Sequence, residues 1–236
     1  MDKGYLLVAS VDKEYYEAAI KLAESIHDFD THAKIALFTH IEWVENDERA
    51  QKLFYHIDGT APNSIRAKLW ALPQTPFETT LYIDVDAVVQ HEDISKVFDL
   101  LGDNDILFTK NRPYNAKITK LSDTQEMIYH CGLFLYNNKQ NTLALMDAWD
   151  KNWHEQQKPE WEHEFKHLGV TPWDTFTMWD LLNNTEFKDT IKVGVFPTPD
   201  ARWNFVNGYK YSELDNEDIV IYHYTLSRVK PGLSYS

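Results

Sequence analysis

Two aspartates, Asp84 and Asp86, lie within an apolar segment that runs from Leu81 to Val89. Such a run is typical of a strand that is buried on both faces of a sheet. Burying an isolated carboxylate is costly, so two of them one residue apart need a compensating charge such as a divalent cation. Ligands bind at the carboxyl ends of strands in open α/β sheets, which suits a metal that also holds a diphosphate. The alternative is that both side chains cap a turn or the helix that begins near Ile94.

Strands and helices alternate on either side of this segment. The further predicted strands cover residues 5–9, 35–39, 105–109, 131–136, 192–196 and 219–223. The predicted helices cover residues 64–72, 94–101 and 141–153, with one more after Asp12 and one that opens at Trp173 and Asp174. This alternation, without a repeat or a low-complexity linker, predicts one α/β domain over residues 1–236 with a mixed or mostly parallel sheet between helices.

The loops of this pattern restrict the class of ligand. The first strand, loop and helix lack a glycine-rich phosphate motif, which argues against a dinucleotide-binding fingerprint and a P-loop. Residues 111–124 are polar enough for a loop or lid near the site. Residues 156–167 carry many charges and predict a solvated helix or excursion.

Composition and charge narrow the function further. A formal net charge of -14 over 236 residues argues against broad binding of nucleic acid. No segment reaches the ~20 apolar residues of a membrane span, and the N-terminus lacks the pattern of a secretory signal. The single cysteine, Cys131, excludes an intramolecular disulfide and agrees with a reducing compartment. We therefore expect a soluble, cytoplasmic protein, whose 8 Trp, 13 Tyr and 12 Phe include rings that can stack on sugars.

Taken in order, several segments resemble the GT-A glycosyltransferases, most closely the retaining, glycosyltransferase family 8-like group of glycogenin and the lipopolysaccharide galactosyltransferases. These segments are residues 5–12, 67–72, 81–86, 131–136, 173–174, 223 and 228–231. The resemblance implies a Rossmann-like GT-A fold with a mixed, mostly parallel central sheet flanked by helices. It also implies a nucleotide-sugar half over about residues 1–125 and an acceptor half over about residues 126–236.

The resemblance assigns a metal and a diphosphate to the Asp-x-Asp motif. Asp84, Asp86 and His223 would bind Mn²⁺ or Mg²⁺ together with both phosphates of a nucleotide-diphosphate sugar such as a UDP-sugar. Lys68 and Lys230 would neutralise charge on the diphosphate. Without the resemblance, Lys68 is predicted to be a solvated lysine on a surface helix. The C-terminal segment lacks the usual glycine before Lys230, so Arg228 is expected to share the work of Lys230.

The first loop of the family reads the nucleotide base. Ser10 and Asp12 occupy that position here, and Tyr15 or Tyr16 would stack on the base. The alternative is that Asp12 caps the following helix and the tyrosines belong to the core.

Further matches lie near the sugar and the acceptor. Asp174 matches an acid that contacts the transferred sugar, although Thr175 replaces the usual glutamine. His130 replaces an expected asparagine and is either a sugar or acceptor contact or a histidine at a strand edge. Trp203 and Asn204 resemble an aromatic-asparagine pair that lines the acceptor side.

The resemblance implies transfer of a hexose or pentose to a hydroxyl, with retention of configuration. No two carboxylates can be assigned as the acid and nucleophile of a glycosidase. The alternatives are a haloacid-dehalogenase-type phosphatase, with Asp84 as nucleophile, and a non-catalytic sugar-binding module. The acceptor stays open among proteins, glycans, lipid headgroups, small molecules and a modified DNA base, and the resemblance is compatible with a homodimer.

Overall fold

The computed structural model describes residues 2–111, 119–207, 214 and 218–226. The strands in these ranges are β1 (Lys3–Val8), β2 (Ile35–Phe38), β3 (His56–Asp58), β4 (Thr79–Ile83), β5 (Ala87–Val89), β6 (Ile106–Lys110), β7 (Tyr129–Asn137), β8 (Val193–Val195), β9 (Phe205–Val206) and β10 (Ile221–His223). The α-helices there are α1 (Lys13–Phe29), α2 (Ile41–Val44), α3 (Glu48–Leu53), α4 (Ala67–Ala71), α5 (Gln140–Gln156), α6 (Asp174–Asn184) and α7 (Phe187–Thr190). Short 3-10 helices cover Leu72–Gln74, Glu92–Leu101, Glu164–Leu168 and Asp200–Trp203.

A central seven-stranded sheet has the strand order β3-β2-β1-β4-β7-β6-β8. Parallel pairs join β1 to β2 and β4, β2 to β3, and β6 to β8. Only β7 is antiparallel to its neighbours in this sheet, β4 and β6. The predicted mixed, mostly parallel sheet is therefore confirmed. A second, three-stranded sheet has the order β5-β10-β9.

Apolar side chains cover both faces of the central sheet. Tyr5 and Leu7 of β1 pack in one cluster with the buried stripe of α1, while Leu6 between them joins a second cluster with Trp149 of α5 and Met178 of α6. This alternation follows from the two-residue period of a strand, which sends successive side chains to opposite faces. The sheet is thus held between helices, as the alternating pattern predicts. In the part of the chain that is described, no helix is both long and apolar enough to cross a membrane.

The predicted single strand over Leu81–Val89 is wrong, because the chain leaves the central sheet at its middle. Strand β4 ends at Ile83, and β5 begins at Ala87 and pairs with β10 in the small sheet. Val85 between them is only 4% exposed, so the sequence stays apolar across the change of sheet. Asp84 and Asp86 therefore lie where the two sheets meet, rather than at the end of a continuous strand.

Several other boundaries differ from the prediction. The helix predicted over 64–72 begins at Ala67, and Pro73 lies in the 3-10 turn after it. The helix predicted over 94–101 is a 3-10 helix, and β3 and β9 were not predicted. Strand β3 consists of half-buried His56, Ile57 and Asp58, so it has no apolar alternation to reveal it. Of the predicted loop or lid over 111–124, residues 112–118 lie outside the described ranges.

Candidate functional site

A cavity of about 430 Å³ opens at the carboxyl ends of β1 and β4. This volume is within the usual range for a small-ligand site, and the position is where open α/β sheets bind ligands. The lining residues that bear on its chemistry come from the β1 loop (Ser10, Tyr15), the α4 region (Arg66, Lys68), the turn between the sheets (Asp84, Asp86), β7 (His130, Gly132), the start of α6 (Trp173, Asp174) and β10 (His223). Residues that are far apart in the sequence thus converge on one cavity.

Asp84, Asp86 and His223 form a group of three possible metal ligands. One ligand atom from each lies within 4.8 Å of the others. A six-coordinate ion with bonds near 2.1 Å places adjacent ligand atoms about 3.0 Å apart and opposite ones about 4.2 Å apart, so shifts of roughly 1 Å or less would bring the three onto one ion. Two carboxylates and one imidazole suit Mn²⁺ or Mg²⁺ better than a thiolate-binding metal. The chemistry and spacing of the donors therefore fit a hard divalent cation.

Gly132 leaves the space that such a cation needs. A Cβ atom at this position would lie 2.8 Å from Asp84 Oδ2 and 3.1 Å from His223 Cε1. It would also lie 2.6 Å from His130 Cε1, closer than real Cβ contacts. The absence of a side chain on β7 is thus what lets Asp84 and His223 face one another.

His223 at the end of β10 and Asp86 just before β5 are in direct contact, because these two strands pair in the small sheet. His223 Nε2 lies 2.9 Å from Asp86 Oδ1, and both side chains are largely buried. Burial by itself lowers the pKa of His223, but the Asp86 carboxylate outweighs it and raises that pKa above the usual value. The other carboxylate oxygen of Asp86 accepts a hydrogen bond from the backbone N–H of Leu226. This contact fixes the direction of the Asp86 carboxylate.

Lys68 is buried among acceptors instead of solvated. Its Nζ lies 2.8 Å from Asp174 Oδ2 and 3.4 Å from Asp84 Oδ1, and it donates to the Cys131 carbonyl at 2.9 Å. Burial alone lowers the pKa of Lys68, but the charges of Asp174 and Asp84 raise it above the usual value. The lysine is therefore charged, and it links the Asp-x-Asp turn to the first residue of α6.

Asp174 is a buried carboxylate held ionised by two cations. Burial acts to raise its pKa, but Arg66 and Lys68 outweigh burial and hold the pKa well below the usual range. Arg66 Nη2 lies 3.5 Å from Asp174 Oδ1, and the backbone N–H of Thr175 donates to the same oxygen. Trp149 Nε1 donates to the Asp174 carbonyl at 2.9 Å, which anchors the start of α6.

Asp84 is oriented by its own strand. The Tyr82 hydroxyl donates to Asp84 Oδ1 at 2.5 Å, and Lys68 approaches the same oxygen. Burial and the Asp84 carboxylate raise the pKa of Tyr82 well above its usual value, so the hydroxyl stays protonated. Oδ1 is thus engaged with the protein, and Oδ2 is the oxygen nearest the space left by Gly132.

The structure places the residues of the β1 loop in two groups. Ser10 and Tyr15 line the cavity, and Ser10 Oγ donates to the Pro62 carbonyl at 2.6 Å. Asp12 is not among the lining residues, and it caps α1 by accepting from the backbone N–H of Glu14. Tyr16 is fully buried. The geometry therefore supports a ligand contact for Ser10 and Tyr15, and the capping alternative for Asp12.

Trp203 and Asn204 do not line the cavity, although they were predicted on its acceptor side. Trp203 is 5% exposed and packs against Phe196, and Asn204 is 2% exposed. Asn204 instead lies between two residues that do line the cavity, with Nδ2 2.8 Å from His130 Nδ1 and Oδ1 3.1 Å from His223 Nδ1. We therefore correct the predicted acceptor contact of Asn204 to a position behind the two imidazoles.

Some site residues were missed by the sequence, and others lie outside the described ranges. Arg66 and Tyr82 were not predicted in the site. Arg66 precedes the first residue of α4, which allows it and Lys68 to face one cavity although they are two positions apart. Lys230 and Arg228 lie outside the described residues.

Comparison with solved structures identifies the fold. The glycosyltransferase GlyE of Streptococcus pneumoniae TIGR4 matches with a TM-score of 0.65 and 18% identity, over 95% of this chain and 55% of GlyE. The galactosyltransferase LgtC, solved with donor and acceptor sugar analogues, matches with a TM-score of 0.54 and 16% identity, over 94% of this chain and 86% of LgtC. Mouse xyloside xylosyltransferase 1 matches with a TM-score of 0.53 and 14% identity, over 97% of this chain and 100% of the enzyme.

These similarities show that the chain has the GT-A fold of glycosyltransferases, as predicted. The chain spans about half the length of GlyE, at 55%. No model of a known protein family matches the sequence, and no curated protein is similar to it in sequence.

Proposed function

We propose that the protein is a metal-dependent glycosyltransferase that moves a sugar from a nucleotide-diphosphate sugar, in particular a UDP-sugar, to a hydroxyl group. One observation carries the proposal. In a GT-A fold, Asp84, Asp86 and His223 meet in one cavity, with Lys68 and Asp174 on its other side. The proposal treats residues 1–236 as one functional unit, because strands from the predicted nucleotide-sugar half and the predicted acceptor half share the central sheet.

The charges that line the cavity support a cation together with a diphosphate. Among the described lining residues, Arg66 and Lys68 face the carboxylates of Asp84, Asp86 and Asp174, which leaves one excess negative charge when His223 is neutral, as it must be to bind a cation. Alone, this arrangement repels a diphosphate. A divalent cation would reverse the balance to one excess positive charge, which attracts it. The site therefore suits the two together.

The charged and polar side chains around the cavity have distinct roles in the proposed reaction. Asp84, Asp86 and His223 would hold Mn²⁺ or Mg²⁺, which supplies Lewis-acid stabilisation of the departing diphosphate when it is bound. Lys68 and Arg66 are largely buried in the cavity wall and provide fixed positive charge there. Ser10 and Tyr15 lie on the side of the cavity that the resemblance assigns to the nucleotide base.

We propose that the transfer proceeds with retention at the anomeric carbon. The bond from this carbon to the leaving phosphate oxygen breaks as the bond to the acceptor oxygen forms on the same face. The acceptor's proton passes to the leaving phosphate oxygen, so no separate base is needed. Asp174 is the carboxylate that would stabilise the positive charge on the sugar, and its lowered pKa keeps it ionised for this purpose.

The two alternative functions have less support. A phosphatase of the haloacid-dehalogenase type would use Asp84 as its nucleophile, whereas the solved structures that share this fold are glycosyltransferases. A sugar-binding module does not need buried cations, whereas Lys68 and Arg66 are held in the cavity wall. The exposed ring of Trp173 at the cavity is compatible with a sugar in either case.

A screen of nucleotide sugars tests the proposed function. Release of the nucleotide diphosphate is measured with Mn²⁺ and with EDTA, first without an acceptor and then with glycans, peptides, lipids and hydroxymethylated DNA. We expect release that depends on Mn²⁺ and is lost in Asp86→Asn. Asp123→Asn is the matched control, because the side chain of Asp123 is 99% exposed. Equal release by the wild-type protein and Asp86→Asn would contradict the proposal, as would phosphatase activity that needs Asp84.

A further inference from the structure

The backbone N–H of Gly132 determines which ring nitrogen of His130 carries a proton. The Gly132 N–H donates to His130 Nδ1 at 3.1 Å. A backbone N–H is always a donor, so His130 Nδ1 must be the nitrogen without a proton. Neutral His130 therefore carries its proton on Nε2.

The same reasoning extends to the Asn204 amide. Its nitrogen and oxygen are distinguished by their hydrogen bonds, and the group 2.8 Å from His130 Nδ1 must donate because that nitrogen accepts. The amide nitrogen, Nδ2, thus faces His130, and its second hydrogen meets Thr109 Oγ1 at 3.1 Å. The amide oxygen, Oδ1, is left to face His223.

The amide oxygen then determines the proton of His223. Oδ1 lies 3.1 Å from His223 Nδ1 and can only accept, so Nδ1 carries a proton. His223 Nε2 faces Asp86 Oδ1 at 2.9 Å, and this oxygen also accepts, so Nε2 carries a proton as well in the absence of a cation. A cation held by Asp84, Asp86 and His223 would displace the Nε2 proton, and the Asn204 amide oxygen would keep the other proton on Nδ1. The opposite orientation of the amide would set its oxygen against the lone pair of His130 Nδ1.

We propose that Asn204 is a positioning residue that holds a proton on His223 Nδ1, in an amide orientation fixed by the unprotonated Nδ1 of His130. It keeps Nε2 of His223 available as a ligand for a divalent cation. The Gly132 N–H and the Asn204 amide both donate to His130 Nδ1, which leaves Nε2–H of His130 as a donor for a phosphate or hydroxyl oxygen of the substrate in the cavity that His130 lines. The role toward the substrate rests on the proposed function, whereas the placement of the protons does not.

Burial makes this arrangement costly to change. Asn204 is 2% exposed and Thr109 is fully buried, so water cannot replace a lost partner easily. Residues that hydrogen-bond to a metal-binding histidine typically change metal affinity about 10- to 100-fold when they are replaced. Asn204 makes such a hydrogen bond to His223.

NMR of the metal-free wild-type protein tests the proton placement directly. Long-range correlations between ring nitrogens and carbon-bound protons show which nitrogen of a histidine is protonated. We expect His130 to be protonated on Nε2 and not on Nδ1. A proton on His130 Nδ1 in the neutral ring would overturn the proposal, and this result needs no variant, metal or sugar.

Binding of Mn²⁺ alone, measured by electron paramagnetic resonance, tests the role toward the cation. Asn204→Leu removes the acceptor for His223 Nδ1–H, so we expect Mn²⁺ affinity to fall about 10- to 100-fold. Asn204→Asp keeps an acceptor there, so we expect affinity at least equal to wild type. Thr109→Val removes the Thr109 hydroxyl from the Asn204 amide nitrogen and leaves the acceptor for His223 in place, so we expect a smaller fall in Mn²⁺ affinity than in Asn204→Leu.

The variants also distinguish the effect of Asn204 on His130 from its effect on His223. In Asn204→Asp an oxygen replaces the Nδ2 donor, so we expect the nitrogen resonances of His130 to change while Mn²⁺ binding is retained. Wild-type Mn²⁺ affinity in folded Asn204→Leu would overturn the proposal, as would an equal loss in Asn204→Asp and Asn204→Leu. Absence of sugar transfer with the expected resonances and Mn²⁺ affinities would instead refute the proposed function alone.

Discussion

Replacement of Lys68 by methionine removes a charge that the structure holds between two carboxylates. The Lys68 side chain is 7% exposed, and its Nζ lies 2.8 Å from Asp174 and 3.4 Å from Asp84. Removing one partner of a buried ion pair costs roughly 3–5 kcal/mol, because the other charge stays buried without compensation. Arg66 stays 3.5 Å from Asp174. We therefore expect Lys68→Met to lower the free energy of unfolding by about 3 kcal/mol, at the lower end of that range.

Urea denaturation and thermal unfolding measure this effect. For a chain of this length, about 3 kcal/mol corresponds to a melting temperature lower by roughly 6–12 °C. Lys166→Met is the matched control, because Lys166 pairs with Glu162 at 2.7 Å while the two side chains are 61% and 68% exposed. An exposed pair contributes less than about 1 kcal/mol, so the control should unfold nearly like wild type.

A double variant makes the prediction sharper. Lys68→Met with Asp174→Asn removes both partners of the closest ion pair, so the loss should be smaller than the sum of the losses in the two single variants. Equal losses in Lys68→Met and Lys166→Met would refute the inference that Lys68 is buried and paired. So would a double variant that loses the sum of the two single losses, because uncoupled residues behave additively.

Three further predictions concern the cavity. Gly132→Ala places a Cβ atom 2.8 Å from Asp84 Oδ2, so Mn²⁺ affinity measured by electron paramagnetic resonance should fall at least about tenfold, and unchanged affinity would contradict this account of Gly132. Arg66→Met removes one of the two cations in the described cavity wall, so calorimetry with UDP and Mn²⁺ should show binding weaker by roughly tenfold; wild-type binding would place the diphosphate elsewhere. Once a substrate pair is found, NMR of the first-formed product should show retained anomeric configuration, and inversion would exclude the proposed front-face route.

Much of the central sheet could be predicted from local patterns. The apolar residues of β1 and β4, and the 3.6-residue stripe of α1, are strong local signals, and the structure has these elements within a few residues of the predicted bounds. The change of sheet between Ile83 and Ala87 could not be predicted, because Val85 is as buried as a strand residue. Which sheet a buried segment joins is decided by tertiary pairing, here of β5 with β10.

The residues of the site could be predicted from the sequence, but the contacts between them could not. The Asp-x-Asp motif and His223 came from the sequence with the help of the resemblance, and the structure brings them together. Nothing local to Lys68 indicates that it is buried, because its partner Asp174 belongs to a distant helix. Asn204 was predicted on the acceptor side, and its contacts with two histidines depend on how β7 and β10 approach each other.

Calorimetric titration of UDP into the wild-type protein, with Mn²⁺ and with EDTA, tests the central claim most directly. If Asp84, Asp86 and His223 hold a cation that in turn holds a diphosphate, UDP binds with Mn²⁺, and in EDTA its affinity falls at least about tenfold. Asp86→Asn should then bind UDP weakly under both conditions. Equal binding of UDP to the wild-type protein with Mn²⁺ and with EDTA would contradict the account.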